Sequence, residues 1–157
     1  MTAIVLDAIK LHVAGDPVSQ GSVSAVIAGG RAMVRQGGDD QRRQRLGDWR
    51  HAVAEEARRW IEQHDDPQVL DGPVRLTLVF TLPRPASLPR WRWLPWTKPD
   101  IDKLARAVMD ALTKVLYRDD ARITDLHVKK RYARGGAPGC DITLEVLDER
   151  GVIEAAP

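Results

Sequence analysis

Apolar and polar positions along the chain follow two different periods. Residues 4–13 are apolar, rich in β-formers and stopped by Gly15-Asp16-Pro17, which predicts a strand ending in a sharp turn. Residues 24–27 and 32–35 flank Ala28-Gly29-Gly30-Arg31, the pattern of a hairpin around a Gly-Gly turn. Over residues 45–63 the steps shift to three and four: Leu46, Trp49, Val53, Ala57, Trp60 and Ile61 mark one face of a helix. Residues 74–82 return to partial alternation among β-formers, as expected of a central strand. Proline density across residues 83–99 argues against helix and ladder alike, and this stretch reads as a long functional loop. A second helix is predicted over residues 102–116, with Leu104, Val108, Ala111, Leu112 and Val115 as its buried stripe. Two further strands, residues 123–132 and 141–147, flank Gly135-Gly136-Ala137-Pro138-Gly139 and are expected to pair as a hairpin.

The resulting order, β-ββ-α-β-α-ββ, predicts an α+β (mixed α/β) fold with two helices packed on a mixed β-sheet. At 157 residues the chain has the length of a single domain, expected to span residues 1–157. No apolar run reaches the ~18 residues a bilayer requires, and Asp7 interrupts the only apolar stretch near the start. Neither membrane insertion nor secretion is expected. Cys140 is the only cysteine, which rules out an intramolecular disulfide or a cysteine-based zinc site and suits a cytoplasmic location.

Charge changes the picture through its distribution. The net charge is only +2, yet residues 81–134 carry thirteen Lys/Arg against six Asp, a net +7, leaving −5 for the remainder. A basic middle section favours a polyanionic partner, although a solvated charged face would have the same composition.

Within that section lie Lys98-Pro99-Asp100-Ile101-Asp102 before the second helix and Arg118-Asp119-Asp120 after it. An extended backbone at Asp100 would point Asp100 and Asp102 to one side of the chain. Magnesium needs only a few hard carboxylate oxygens plus a substrate phosphate, so Asp100, Asp102 and Asp120 would suffice. Arg106, one helical turn beyond Asp102, could neutralise charge at a reacting phosphate. A plainer reading stands beside this one. Asp102, Arg106, Asp110 and Lys114 are spaced i, i+4, i+8 and i+12, an exposed ladder worth ~0.2–0.5 kcal/mol per pair. Asp102 could be a helix N-cap and Asp119-Asp120 turn residues. Spacing does not decide between the two.

The wording of residues 98–130, KPDIDKLARAVMDALTKVLYRDDARITDLHVKK, resembles the signature of the RusA family of Holliday junction resolvases: Lys-Pro-Asp-x-Asp-Asn, a helix with Asp-Ala-Leu, an Asp-Asp pair and a lysine-bearing strand. Gly15-Asp16-Pro17-Val18-Ser19 with Gly21, and residues 85–90, are similar to that family's N-terminal motif and pre-signature loop. The resemblance implies a homodimeric, cytoplasmic, phage-like enzyme of DNA recombination and repair. It would bind four-way junctions and make paired symmetric cuts with Mg²⁺, or Mn²⁺ as substitute, leaving 5′-phosphates. It places the metal ligands on Asp100, Asp102 and Asp120, the catalytic cation on Arg106, and a metal-supporting role on Asp119. Lys103 stands where the family usually has Asn, Arg106 where it usually has Lys, and Gln20 where a basic residue is common. Two alternatives stand beside this reading: a nuclease for other branched DNA such as forks and flaps, and, motivated by Lys103 and Arg106, a catalytically weakened junction-binding phage protein.

Arg90, Arg92, Lys98, Lys103, Lys129 and Arg131 are the expected DNA contacts. Strand alternation puts Lys129 and Arg131 on one face and Lys130 on the other. Trp91, Trp93 and Trp96 could stack on unpaired bases, fill a dimer interface or cap the core. His12, His51, His64 and His127 show no metal-ligand spacing.

Overall fold

A computed structural model describes residues 4–21, 23–28, 30–36, 39–64 and 69–150; of residues 4–7, 23–28 and 31–36 the backbone alone is described. In chain order the elements are β1 (Ile4–Ala14), β2 (Val23–Ala28), β3 (Arg31–Gln36), α1 (Asp40–His64), β4 (Val74–Leu82), α2 (Ile101–Leu112), a short 3-10 turn (Asp120–Arg122), β5 (Ile123–Tyr132) and β6 (Gly139–Asp148). This is the predicted order. β2 and β3 pair as the expected hairpin in a sheet of their own, with Gly29 of its turn outside the described residues. The other four strands form a mixed sheet in the order β1-β6-β4-β5.

β4 is central because both its neighbours bury it. Its residues alternate between buried and half-buried along all nine positions. Pairing is antiparallel with β6 and parallel with β5, so Leu78 lies between Ile142 and Val128, and Phe80 between Cys140 and Lys130. Both helices cover the face that carries Leu76, Leu78 and Phe80. α1 buries Leu46, Trp49, Val53, Ala54 and Ala57, and α2 buries Leu104, Ala105, Ala107, Val108 and Leu112. Each fully buried Leu or Val contributes roughly 1.5–3 kcal/mol relative to exposure, and this two-layer core is what holds the helices to the sheet. Arg50 of α1 donates to Asp110 of α2 at 2.6 Å across the helix pair. On the opposite face, Arg75, Thr77, Val79 and Thr81 of β4 are only half-buried.

Two expectations change. β5 and β6 are not a hairpin, because β4 lies between them and pairs with both. Turn residues show that the chain reverses; they do not show what fills the gap. Two strand spacings are only ~10 Å, which the connection from Ala133 to Pro138 easily bridges. α2 also stops at Leu112 rather than continuing to residue 116. The Met109 carbonyl there accepts bonds from Thr113 N, Thr113 Oγ1 and Tyr117 OH, and Lys114 turns the chain with φ 65°. Leu116 remains buried without being helical, which is why the apolar spacing ran past the helix end.

Candidate active site

The segment entering α2 is anchored from two sides. Lys130, at a core-facing position of the edge strand, donates from Nζ to the carbonyls of Thr97 and Pro99, each at 2.8 Å. From the N-terminal motif, Gln20 N donates to the Lys103 carbonyl at 3.1 Å. The peptide before Asp100 and the first turn of α2 after it are thereby tied to the body of the protein.

Asp100 is the N-cap of α2, extended at φ −70° and ψ 136°, and its side chain makes no capping bond. Its carboxylate instead meets Lys103 Nζ at 3.2 Å. Asp102 is exposed in the first turn, so helical geometry rather than strand alternation relates it to Asp100. Arg106 is exposed one turn further on and makes no ion pair with the described residues.

Beyond α2, Asp119 caps the 3-10 turn by accepting from Ala121 N at 2.9 Å. That bond holds its carboxyl below the usual range, with help from Asp120 and Arg122. Asp120 is exposed, and the neighbouring Arg118 and Arg122 both engage Asp71, at 3.1 and 2.7 Å. Nearby Tyr117 has its phenol pKa pushed up by burial and then by the Asp120 charge.

These two carboxylate groups stand at opposite ends of one helix. The twelve residues of α2 span ~18 Å at 1.5 Å per residue. Lys130 keeps Asp100 beside the end of β4, while pairing of Ile123 with Val74 keeps Asp120 beside its start. Among the described residues no three His, Cys, Asp or Glu side chains form a group that could hold a metal ion. The exposed carboxylates suit a hard divalent cation chemically, but one chain does not bring Asp120 to Asp100 and Asp102.

The exposed charge ladder does not form either. Asp110 pairs with Arg50, and Lys114 lies past the helix end. On the basic side, Arg90 and Lys98 are exposed on the loop, Arg92 lies over the Trp96 ring at 4.1 Å, and Lys103 is engaged by Asp100. Lys129 and Arg131 project from the sheet face opposite the helices, where Arg131 meets Thr81 Oγ1 at 3.2 Å. Trp93 lies within 5.0 Å of the guanidinium groups of both Arg84 and Arg134. Trp91 and Trp96 are exposed and cap no core. His12 and His127 pair with Asp141 and Asp125.

Lys130 is the residue that sequence reasoning underused. Its signal was present in the alternation, which set it apart from Lys129 and Arg131, but its partners are backbone carbonyls of a distant loop.

A family model described as Endodeoxyribonuclease RusA matches residues 22–145. The chain is also similar to the uncharacterized protein YqaN of Bacillus subtilis (strain 168), 30% identical over 138 residues that cover 82% of this chain and 90% of that protein.

Proposed function

Because the chain belongs to the RusA endodeoxyribonuclease family, we propose that it is a Mg²⁺-dependent nuclease that resolves four-way DNA junctions by paired symmetric cuts leaving 5′-phosphates. What carries the reading is that the family match spans both ends of α2, and so includes Asp100, Asp102, Asp119 and Asp120. Among the described residues no helix is long and apolar enough to cross a membrane.

The separation of the carboxylates favours a site shared between two protomers. Asp100 and Asp102 of one protomer with Asp120 of the partner subunit would hold the metal, and the two-fold axis of a homodimer would create two such sites matching the symmetry of a junction. When bound, Mg²⁺ would activate a water and stabilise charge on the scissile phosphate. The chain's own groups have separate tasks. Lys130 holds the peptide before Asp100 in place. Arg106 and Lys98 neutralise the phosphate, and Asp119 orders the turn that presents Asp120. Arg90 and Arg92 grip the strand on the loop side. Lys129 and Arg131 would contact an arm of DNA that passes around the edge strand.

A second reading has one observation in its favour. Lys103 stands where the family usually has Asn and pairs with Asp100, which opposes cation binding and points to a weakened enzyme that still binds junctions. One experiment separates the readings. The purified chain, incubated with a mobile four-way junction, forks, flaps and linear duplex in Mg²⁺, should nick junctions in symmetric pairs, and Asp102→Asn should bind without cutting. Equal cutting of linear duplex would sink the resolvase assignment, and junction binding without cutting in Mg²⁺ or Mn²⁺ would favour the weakened protein.

A further inference from the structure

A cleft of about 700 Å³ opens beside the segment that leads into Asp100. Stretches far apart in the chain wall it: the turn after β1, the first half of α1 and the loop between β4 and α2. Its volume is that of a small-ligand site. Val18, Ala52 and Leu88 supply apolar wall, while Arg42, Arg45, Arg92 and Lys98 outnumber Asp16 and Asp48 among the charged lining. Trp49 also lines it and is 4% exposed, yet its indole N–H has no acceptor among the described residues. Arg92 Nε is likewise unpartnered, although the same guanidinium donates to Thr97 at 3.4 Å.

Apolar walls suit a flat heterocycle, buried N–H donors call for carbonyl or ring-nitrogen acceptors, and a cationic lining suits a phosphate. All three occur together in a nucleotide. We propose that this cleft receives one unpaired nucleotide of the DNA strand being cut, its base against Trp49 and its phosphate towards Arg42 and Arg45. The assignment of the occupant to the cut strand rests on the nuclease reading above. Pro99 lines the cleft and is one residue, about 3.8 Å of backbone, from Asp100, so the occupant neighbours the phosphate that would lie there. A base paired within intact duplex cannot enter such a cleft, whereas a base at the centre of a branch can. The cleft thus gives the enzyme a physical reason to prefer branched DNA.

The test uses the full chain labelled with ¹⁵N and follows the Trp49 indole signal. Each of the four 5′-deoxyribonucleoside monophosphates is titrated in, with deoxyribose 5-phosphate and inorganic phosphate as controls. A saturable shift with at least one nucleotide, absent with both controls, is expected. Ala52→Phe, which fills the cleft, and Arg45→Ala, which leaves the core alone, should each weaken that binding by about fivefold or more. No shift, or an equal shift with inorganic phosphate, overturns the proposal. In a cutting assay, one abasic residue is then moved through the positions flanking the cut. It should slow the wild type by about tenfold at one position and slow Ala52→Phe no further there. A wild type that cuts junctions but tolerates every abasic position overturns the cleft assignment alone. A Trp49 shift without any cutting of branched DNA leaves the nucleotide site standing and removes the nuclease reading.

Discussion

Lys130 of the edge strand and Pro99 of the loop before α2 are joined by a 2.8 Å bond from Nζ to the carbonyl oxygen, one residue ahead of Asp100. An ammonium group donating to two backbone carbonyls acts as a clamp, and its removal frees the peptide that aims the carboxylate. Lys130→Met is expected to lower kcat for junction cutting by about tenfold or more, since small errors in position cost that much, with KM nearly unchanged. Lys130→Arg should recover part of the loss. Steady-state kinetics with a thermal melt check this, and an equal fall in kcat and folding stability with no rescue would reduce the clamp to a packing contact.

If Asp120 completes its site across a dimer, two inactive variants should rescue each other. In a heterodimer of Asp102→Asn with Asp120→Asn, one site combines both substitutions and the other is intact. Mixing the two proteins under conditions of subunit exchange should restore single nicks but not paired cuts. Gel analysis of a junction labelled on each strand reads this directly, and complete absence of nicking after proven exchange would place all ligands in one chain.

Lys103 meets Asp100 at 3.2 Å, where it would compete with a cation for the carboxylate. The ion pair is half-exposed and worth only ~0.2–0.5 kcal/mol, but the ammonium charge also repels an incoming divalent ion. Lys103→Asn should therefore tighten Mn²⁺ binding several-fold, measured by calorimetry in the presence of junction DNA. An unchanged affinity would show that the departure from the family pattern is harmless.

Gly139 sits where β6 meets β1 so closely that a Cβ would lie 2.6 Å from the Val13 carbonyl and 3.1 Å from the His12 ring. The carbonyl belongs to a strand backbone and has little freedom to yield. Gly139→Ala is expected to cost about 1–3 kcal/mol by overpacking, seen as a lower denaturation midpoint with an unchanged slope.

Acid should weaken the fold through its paired carboxylates. Hydrogen bonding to Arg118 lowers the Asp71 pKa, the bond to Ala121 N lowers that of Asp119, and hydrogen bonding to Arg75 lowers that of Asp125. A lowered folded-state pKa means that the unfolded chain binds protons first, so this stability is fully present above about pH 4 and is lost as pH falls through the folded values. The contribution of these groups to the thermal midpoint should be flat from pH 7 to 5 and fall below pH 4, less steeply in Asp125→Asn. A fall of the same steepness in that variant would remove Asp125 from the account.

Much of this molecule was legible from residue order because periodicity and turn chemistry are local. Val74 to Leu82 announced a central strand, Leu46 to Ala57 a core-facing helix, and Gly29-Gly30 a hairpin. The Asp100-Ile101-Asp102 spacing, the Asp119-Asp120 pair and the surrounding wording led to the family. Alternation along β5 also separated Lys130 from Lys129 and Arg131. Tertiary structure alone decided three matters. Inserting β4 between β5 and β6 is a choice of neighbour, which turn residues do not encode. The clamp from Lys130 to Pro99 joins residues whose proximity depends on parallel pairing across a helix crossover. The run of α2 together with the register of β5 on β4 puts Asp100 and Asp120 towards opposite ends of β4 in one chain: which way a helix points between two strands is set by their pairing, and no count of residues along the sequence states it.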